Sequence, residues 1–440
     1  MRPLLLALLL TPLAQADPAL LKKAEEFGTR WWKARPPTKF HEWDAAAREA
    51  LLAEARAIGS VPEGSLEQVR AALWKSVKRH GPKGKGSGKM YLEGHGYKSD
   101  YTRDEMWALV RGGGRGEGLV LGIHGGGEGA GSADTGWNVK GCMGIYPQGL
   151  LLHGDNWNTV HGEKQILTFI EIAKAQYDID PDRVYVMGFS MGGTGSWHMA
   201  GRFPDLLAGA APCNGVIMAN PKSQLATREE VVSLQYGLLP NVRNLAVYFF
   251  CGTADKNCMP GTFLVAWDAI QELRKEDRGG YEKVRFKCYE GLAHSFPPGE
   301  PGNASKYMAE QRRDSYPLKI RWEYAAYPHP LPNEKDTTTR YQQHGFYWFR
   351  HDRPQDKMDI VATRKGNEFD VSMGGADPKG AYVMLNPKMI DVKQEVVVRV
   401  EGTEVYRGKP QPDFVTVVES LDDKLDKTLT FDRKVALWKE

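Results

Sequence analysis

An excess of charge of one sign is missing from this 440-residue chain: 58 Lys and Arg stand against 55 Asp and Glu, a net +3. That balance removes the global electrostatic case for a nucleic-acid partner or an anionic membrane surface. Long apolar runs are missing too. Residues 4–10 form one, too short to span a bilayer, and no later stretch is long and apolar enough to be transmembrane. The HExxH pattern of zinc proteases does not occur, and no metal or cofactor is expected. Cysteine is scarce, at five. In an exported protein an odd number leaves at least one thiol free or paired between chains. Cys251 and Cys258 bracket Asp255 and could bridge, whereas Cys251 and Cys288 lie on strands expected to be neighbours, where small buried thiols are common. The pairing stays open.

The amino terminus has the build of an export signal. Met1-Arg2-Pro3 is a short basic start, residues 4–10 are the apolar core, and Ala14-Gln15-Ala16 is a small-residue cleavage site. Residues 1–16 are therefore expected to be removed, giving a periplasmic or extracellular protein that starts at Asp17. No cysteine follows the apolar stretch, which disfavours lipid anchoring.

Residues 183–193 carry the chemistry: Arg-Val-Tyr-Val-Met-Gly-Phe-Ser-Met-Gly-Gly. Val184, Val186 and Met187 supply a strand, Gly188-Phe189-Ser190-Met191-Gly192 fits G-x-S-x-G, and a helical stretch follows. A serine exposed on so sharp a turn needs small residues two positions away on either side. An ordinary turn serine would not need the strand, the helix and the downstream partners that accompany this one. The order required is nucleophile, acid, histidine. Residues 245–250 read as a buried strand, and Cys251-Gly252-Thr253-Ala254-Asp255 follows. Residues 284–289 alternate like another strand, and Glu290-Gly291-Leu292-Ala293-His294 comes after it. Upstream, residues 119–123 end in His124-Gly125-Gly126-Gly127, whose unhindered N–H groups can face a developing oxyanion. His124 precedes the nucleophile and reads as a packing residue of that loop; His198, on the helix after the turn, reads as structural. Asp155 comes before the serine, and Asp268 sits on a solvated helical face over residues 266–275. His329, His344 and His351 come after the expected last strand. Ser190, Asp255 and His294 remain as nucleophile, acid and base.

With the elbow, residues 177–185, Tyr-Asp-Ile-Asp-Pro-Asp-Arg-Val-Tyr, resemble secreted carboxylesterases of the polyhydroxybutyrate depolymerase and feruloyl esterase type. They are also similar to the peptidase-like hydrolases related to prolyl oligopeptidase. The resemblance covers about residues 90–300. It implies an α/β-hydrolase fold, a mostly parallel central sheet flanked by helices, with the triad Ser190, Asp255 and His294. The oxyanion hole it implies is the Met191 N–H with Gly125 or Gly126. The expected reaction is cleavage of a carboxylic ester, small or polymeric, through an acyl-enzyme. A peptidase, or a binding protein on an inactive scaffold, is the alternative.

Around this domain, over residues 90–314, two regions differ in texture. Residues 17–82 have helical spacing at Leu20, Leu21, Ala24 and Phe27, at Ala46, Ala47, Leu51 and Leu52, and at Val69, Leu73 and Val77, with Pro36-Pro37 between the first two helices. Residues 83–89, Lys-Gly-Lys-Gly-Ser-Gly-Lys, lack phosphate-loop spacing and have Met90 where Ser or Thr would hold magnesium, so a linker or turn is expected. Residues 90–110 read as opening strands, and 165–175 as the helix before the nucleophile strand. Residues 315–440 read as a β-rich domain, an antiparallel sheet or sandwich with strands at 318–322, 341–348, 358–363, 368–373, 396–400 and 403–406. Its aromatics Tyr341, Phe346, Tyr347, Trp348 and Phe349 suit a domain interface better than a polymer-binding face. Trp137, His153, Asp155 and Trp157 are candidates for lining the substrate pocket, with core packing as the alternative for each.

Overall fold

The structure, a computed structural model, describes residues 16–86, 88–92, 106–126, 136–150, 157–217, 238–324 and 341–438. The expected leader up to Gln15, Gly127, His153, Asp155 and His329 lie outside them. The chain opens on helices α1 (Pro18–Ala34), α2 (Ala45–Ile58) and α3 (Leu66–His80). Asp17 accepts the Ala19 N–H at the start of α1, and Asp44 accepts the Ala47 N–H at the start of α2. Each carboxylate satisfies a donor that a helix start leaves open.

Eight strands then build the central sheet: β1 (Lys89–Leu92), β2 (Met106–Arg111), β3 (Gly118–Ile123), β4 (Cys142–Pro147), β5 (Val184–Phe189), β6 (Gly209–Cys213), β7 (Ala246–Gly252) and β8 (Val284–Tyr289). Their order is β1-β2-β4-β3-β5-β6-β7-β8. The β1/β2 and β2/β4 pairs are antiparallel and the remainder parallel. Helices α4 (Val160–Tyr177), α5 (Met191–Arg202), α6 (Pro260–Glu276) and α7 (Glu300–Ala309) cross over between strands or follow the last one. Both faces are covered, by separate apolar clusters, so every residue of β3 is buried and the strand reads as a continuous apolar run. The chain leaves β3 toward β4 on one side and β5 toward β6 on the other. Such a reversal opens a crevice at the carboxyl ends of the two strands, the usual ligand position in a sheet of this kind. Strand β4 is not legible from periodicity, because Gly144 and Pro147 interrupt its apolar run.

The carboxyl-terminal region is a sandwich. Strands β9 (Lys319–Tyr324), β12 (Met358–Lys365), β13 (Glu368–Ser372), β15 (Val396–Val400) and β16 (Thr403–Gly408) form one sheet; β10 (Gly345–Phe346), β11 (Phe349–His351), β14 (Ala381–Leu385) and β17 (Arg433–Ala436) form the other. Trp322 of the first stacks on Phe346 of the second at 5.5 Å, and the two sheets share one apolar cluster. The β13/β15 pair is parallel, because the chain crosses to the second sheet as β14 before returning.

Two expectations for residues 315–440 need correction. The strand over 341–348 is instead a tight hairpin, β10 to β11, turning at Tyr347 with φ +52°. Phe346, Tyr347, Trp348 and Phe349 are all buried, so no aromatic face is left for a polymer; Tyr347 N–H donates to Asp205 of the central domain at 3.1 Å. Residues 414–424 are a helix, α8 (Phe414–Lys424), which leaves the sandwich to pack on the amino-terminal helices. Phe414 meets Phe27 edge-on at 5.3 Å. The two ends of the chain thus share one core. Among the described residues, no helix is long and apolar enough to cross a membrane. The thiols of Cys251 and Cys288, partners across β7 and β8, lie 3.5 Å apart as free cysteines, and no disulfide joins Cys251 to Cys258.

Candidate active site

The turn between β5 and α5 places Ser190 at φ +57°, a region that a side chain adopts only under local strain. Space explains its flanking glycines. A Cβ on Gly192 would lie 2.1 Å from the Ile123 carbonyl oxygen, and one on Gly188 would lie 2.5 Å from the Gly192 backbone. The strain is held in place by backbone bonds: Ser190 N–H donates to Cys213 O at 2.9 Å, and Thr194 N–H to Ser190 O at 2.9 Å.

Two further loops converge on that serine. His294 Nε2 is 2.8 Å from Ser190 Oγ, and its Nδ1 is 2.7 Å from Asp255 Oδ2. The Asp255 and His294 loops are joined directly: Thr253 N–H bonds Tyr289 O, Ala254 N–H bonds Leu292 O, and Gly291 N–H bonds Thr253 Oγ1. Behind them, Glu300 at the start of α7 accepts from Tyr248 of β7 and Lys287 of β8. Burial alone would raise the Glu300 carboxyl, but these donors outweigh it and hold it down at about 2.

Asp255 is buried, and every acceptor position is used. Oδ1 takes the N–H groups of Asn257 and Cys258, each at 2.8 Å. Oδ2 takes His294 and the Asn214 amide at 3.0 Å. Asn214 follows β6 with φ +44° and was not singled out from the sequence; the Cys213-Asn214-Gly215 turn, where asparagine tolerates left-handed backbone, was its only signal. It orients the oxygen that orients the imidazole. Asn214→Ala is expected to lower kcat about tenfold with KM little changed, the worth of one hydrogen bond to a charged group. Asn214→Asp, setting a second carboxylate against the first, should lower it further. Steady-state kinetics checks both; falls that merely track loss of folded protein would leave Asn214 with no positioning role.

The glycine loop lies against the Ser190 turn. A Cβ on Gly125 would sit 3.6 Å from Ser190 Cβ, and one on Gly126 3.8 Å from Met191 Cβ. His124 braces this loop, as expected of a packing residue. Its Nε2 accepts the Gly149 N–H at 2.9 Å, which leaves Nδ1 to donate to Gly125 O at 2.8 Å. Trp157 Nε1–H donates to His124 O at 2.8 Å.

Trp157 and Trp137 are fully buried, so neither lines an open pocket. Trp157 is scaffold under the loop. Trp137 packs edge-on against Phe296, 5.7 Å away. His198 is buried against Glu163 at 2.9 Å, where desolvation lowers its pKa despite that carboxylate. Asp268 is exposed on α6, and His344 and His351 belong to the sandwich. Among the described residues, one His/Cys/Asp/Glu group is tight enough to face a cation: Asp255, Cys258 and His294. There both carboxylate oxygens and both imidazole nitrogens already hold hydrogen bonds, an arrangement suited to moving a proton.

A serine on a strand-to-helix elbow at the switch point of a sheet in this order is the arrangement of one fold. The central domain has the α/β-hydrolase fold. Residues 152–322 match the dienelactone hydrolase family. Over 148 residues the chain is 29% identical to the bifunctional acetylxylan esterase/xylanase XynS20E of Neocallimastix patriciarum, covering 29% of this chain and 22% of that protein. Over 113 residues it is 33% identical to poly(3-hydroxyalkanoate) depolymerase C of Paucimonas lemoignei, covering 22% of this chain and 27% of that one. The chain thus spans about a quarter of the length of these relatives. Among solved structures it is similar to a thermostable esterase, at 22% identity and TM-score 0.37, over 51% of this chain and 63% of that one.

Proposed function

We propose that this α/β-hydrolase is an exported serine hydrolase that cleaves carboxylic esters. The observation that carries the reading is a single imidazole bonded to both a serine hydroxyl and a buried carboxylate. A hydroxyl is a poor nucleophile until a base takes its proton. In this reading Ser190 Oγ attacks the carbonyl carbon as His294 Nε2 accepts the proton, and Asp255 steadies the imidazolium. Negative charge develops on the carbonyl oxygen, facing the Met191 N–H and the Gly125–Gly126 loop. The C–O bond breaks, and the alcohol leaves with the proton from His294. Water, deprotonated by the same imidazole, then attacks the acyl-serine and releases the acid. The matching family and both relatives support ester bonds as the target rather than amides. Export rests on the leader-like residues 1–16.

Purified protein is expected to turn over p-nitrophenyl acetate and to leave the matching anilide and peptide substrates intact. A fluorophosphonate probe should label it at Ser190. Amide turnover comparable to ester turnover would favour a peptidase, and absence of labelling together with absence of turnover would favour a binding protein.

A further inference from the structure

The triad borders an apolar surface that the mechanism above does not use. Phe189, the residue before the nucleophile, lies with its ring centroid 4.9 Å from that of His294. Phe296, two residues after the base, lies 4.2 Å from Phe189 and extends the same surface outward. Trp137 and Phe250 back it at 5.7 and 6.3 Å. Phe296 is nevertheless 40% exposed, beside buried aromatic neighbours. Its position is set by the chain: Pro297 and Pro298 follow, and a residue before proline is confined to extended backbone. Glu300 N–H then closes the turn on Pro297 O at 3.1 Å. The ring is held in place before any ligand arrives, which lowers the ordering cost of binding against it.

Proton transfer assigns the surface to one half of the substrate. His294 Nε2 must hand its proton to the leaving oxygen, which requires that oxygen within about 3 Å of the nitrogen. The alcohol portion of the ester therefore lies along the imidazole and the rings that adjoin it. The Gly125–Gly126 loop, against Ser190 and Met191, is left for the carbonyl oxygen. We infer that Phe296, on Phe189, is the specificity-determining residue for the leaving alcohol and selects alcohols that present a flat apolar face. This rests on the esterase reading and adds to it which half of the ester is read. The exposed part of the Phe296 ring is about 80 Å², from a typical side-chain area of about 200 Å². At roughly 25 cal/mol per Å² its burial favours a ring-bearing alcohol by about tenfold to thirtyfold.

Two substrate series test it. In one, acetate is held constant and the alcohol runs from methanol to benzyl alcohol; in the other, methanol is held constant and the acid runs from acetate to phenylacetate. The wild-type protein is expected to prefer benzyl over methyl acetate by at least about tenfold in kcat/KM. Phe296→Ala should abolish that ratio while the ratio within the acyl series is kept; Phe296→Tyr should restore it. Persistence of the benzyl preference in Phe296→Ala, or loss of the acyl-series ratio instead, overturns the assignment with the esterase reading intact. A readout free of catalysis separates the two ideas. In Ser190→Ala protein, benzyl alcohol should bind saturably by titration calorimetry, and Phe296→Ala should remove that binding. Saturable binding that Phe296→Ala leaves unchanged, or no binding at all, counts against the subsite even if no ester is turned over.

Discussion

Ser190→Ala and His294→Ala are each expected to lower kcat on p-nitrophenyl acetate by roughly 10⁴–10⁶-fold, and the double variant should be no slower than the slower single. In the proposed mechanism the residues act as one unit: without the imidazole the hydroxyl keeps its proton, and without the hydroxyl the imidazole has no proton to take. Ser190 Oγ and His294 Nε2 are already 2.8 Å apart, so no rearrangement needs to precede transfer. Stability should change little. Alanine at φ +57° carries a backbone strain close to that of serine, and the turn is held by backbone bonds to Cys213 and from Thr194 that survive the change. Asp255→Asn should cost roughly 10⁴-fold for a different reason. An asparagine oxygen can still accept the N–H groups of Asn257 and Cys258, but its amide then faces His294 Nδ1. That turns the imidazole to the tautomer with the proton on Nε2, which cannot accept from serine. Thermal melts beside the kinetics check the set. A Ser190→Ala protein keeping more than about a hundredth of wild-type turnover would end the covalent reading.

How much of this could be read from residue order depends on what fixes each element. Parallel strands buried on both faces announce themselves as apolar runs, and the expected stretches at 119–123 and 245–250 fall on β3 and β7 within a few residues; the alternating stretch at 284–289 is the edge strand β8. The elbow is legible because close backbone approach dictates residue type at fixed spacing. Other features depend on partners distant in sequence. Helix α8 is rich in β-branched residues, Val415, Thr416, Val417 and Val418, and local preference does not favour a helix there. Its cap was visible in principle: Asp413 accepts the Thr416 N–H at 2.7 Å, ahead of apolar residues at 414, 417, 418 and 421. The packing of α1 onto α8 decides the outcome. Asn214 and Phe296 are single residues whose importance comes from where β6 and β8 end relative to β5, and periodicity carries no such information.

Replacing Asp426 by asparagine is expected to destabilise the fold by about 3–5 kcal/mol. Asp426 is fully buried just beyond α8. Lys174 of α4 reaches Oδ2 at 2.7 Å, and Arg313, between α7 and β9, spans both oxygens at 2.9 and 3.1 Å. The same guanidinium bonds Asp182, directly before β5, at 2.7 Å. Burial alone would raise the Asp426 carboxyl, but Arg313 and Lys174 outweigh it and hold the group well below the usual carboxylate range. Removing the charge leaves two buried cations short of a partner, and loss of one member of a buried pair costs far more than the pair contributes. A group with a depressed folded pKa stabilises above its unfolded value, about 3.9, and that stabilisation is lost as pH falls toward the folded one. The variant should therefore show a smaller loss of stability below about pH 4 than the parent, and a lower urea midpoint at neutral pH. Arg313→Met should cost a similar amount, and the two losses should not add, because the residues share one network. Activity per folded molecule should fall much less than stability. The network grips β5 at its amino end, through Asp182, while Ser190 stands at the other end of that strand, held by its own elbow.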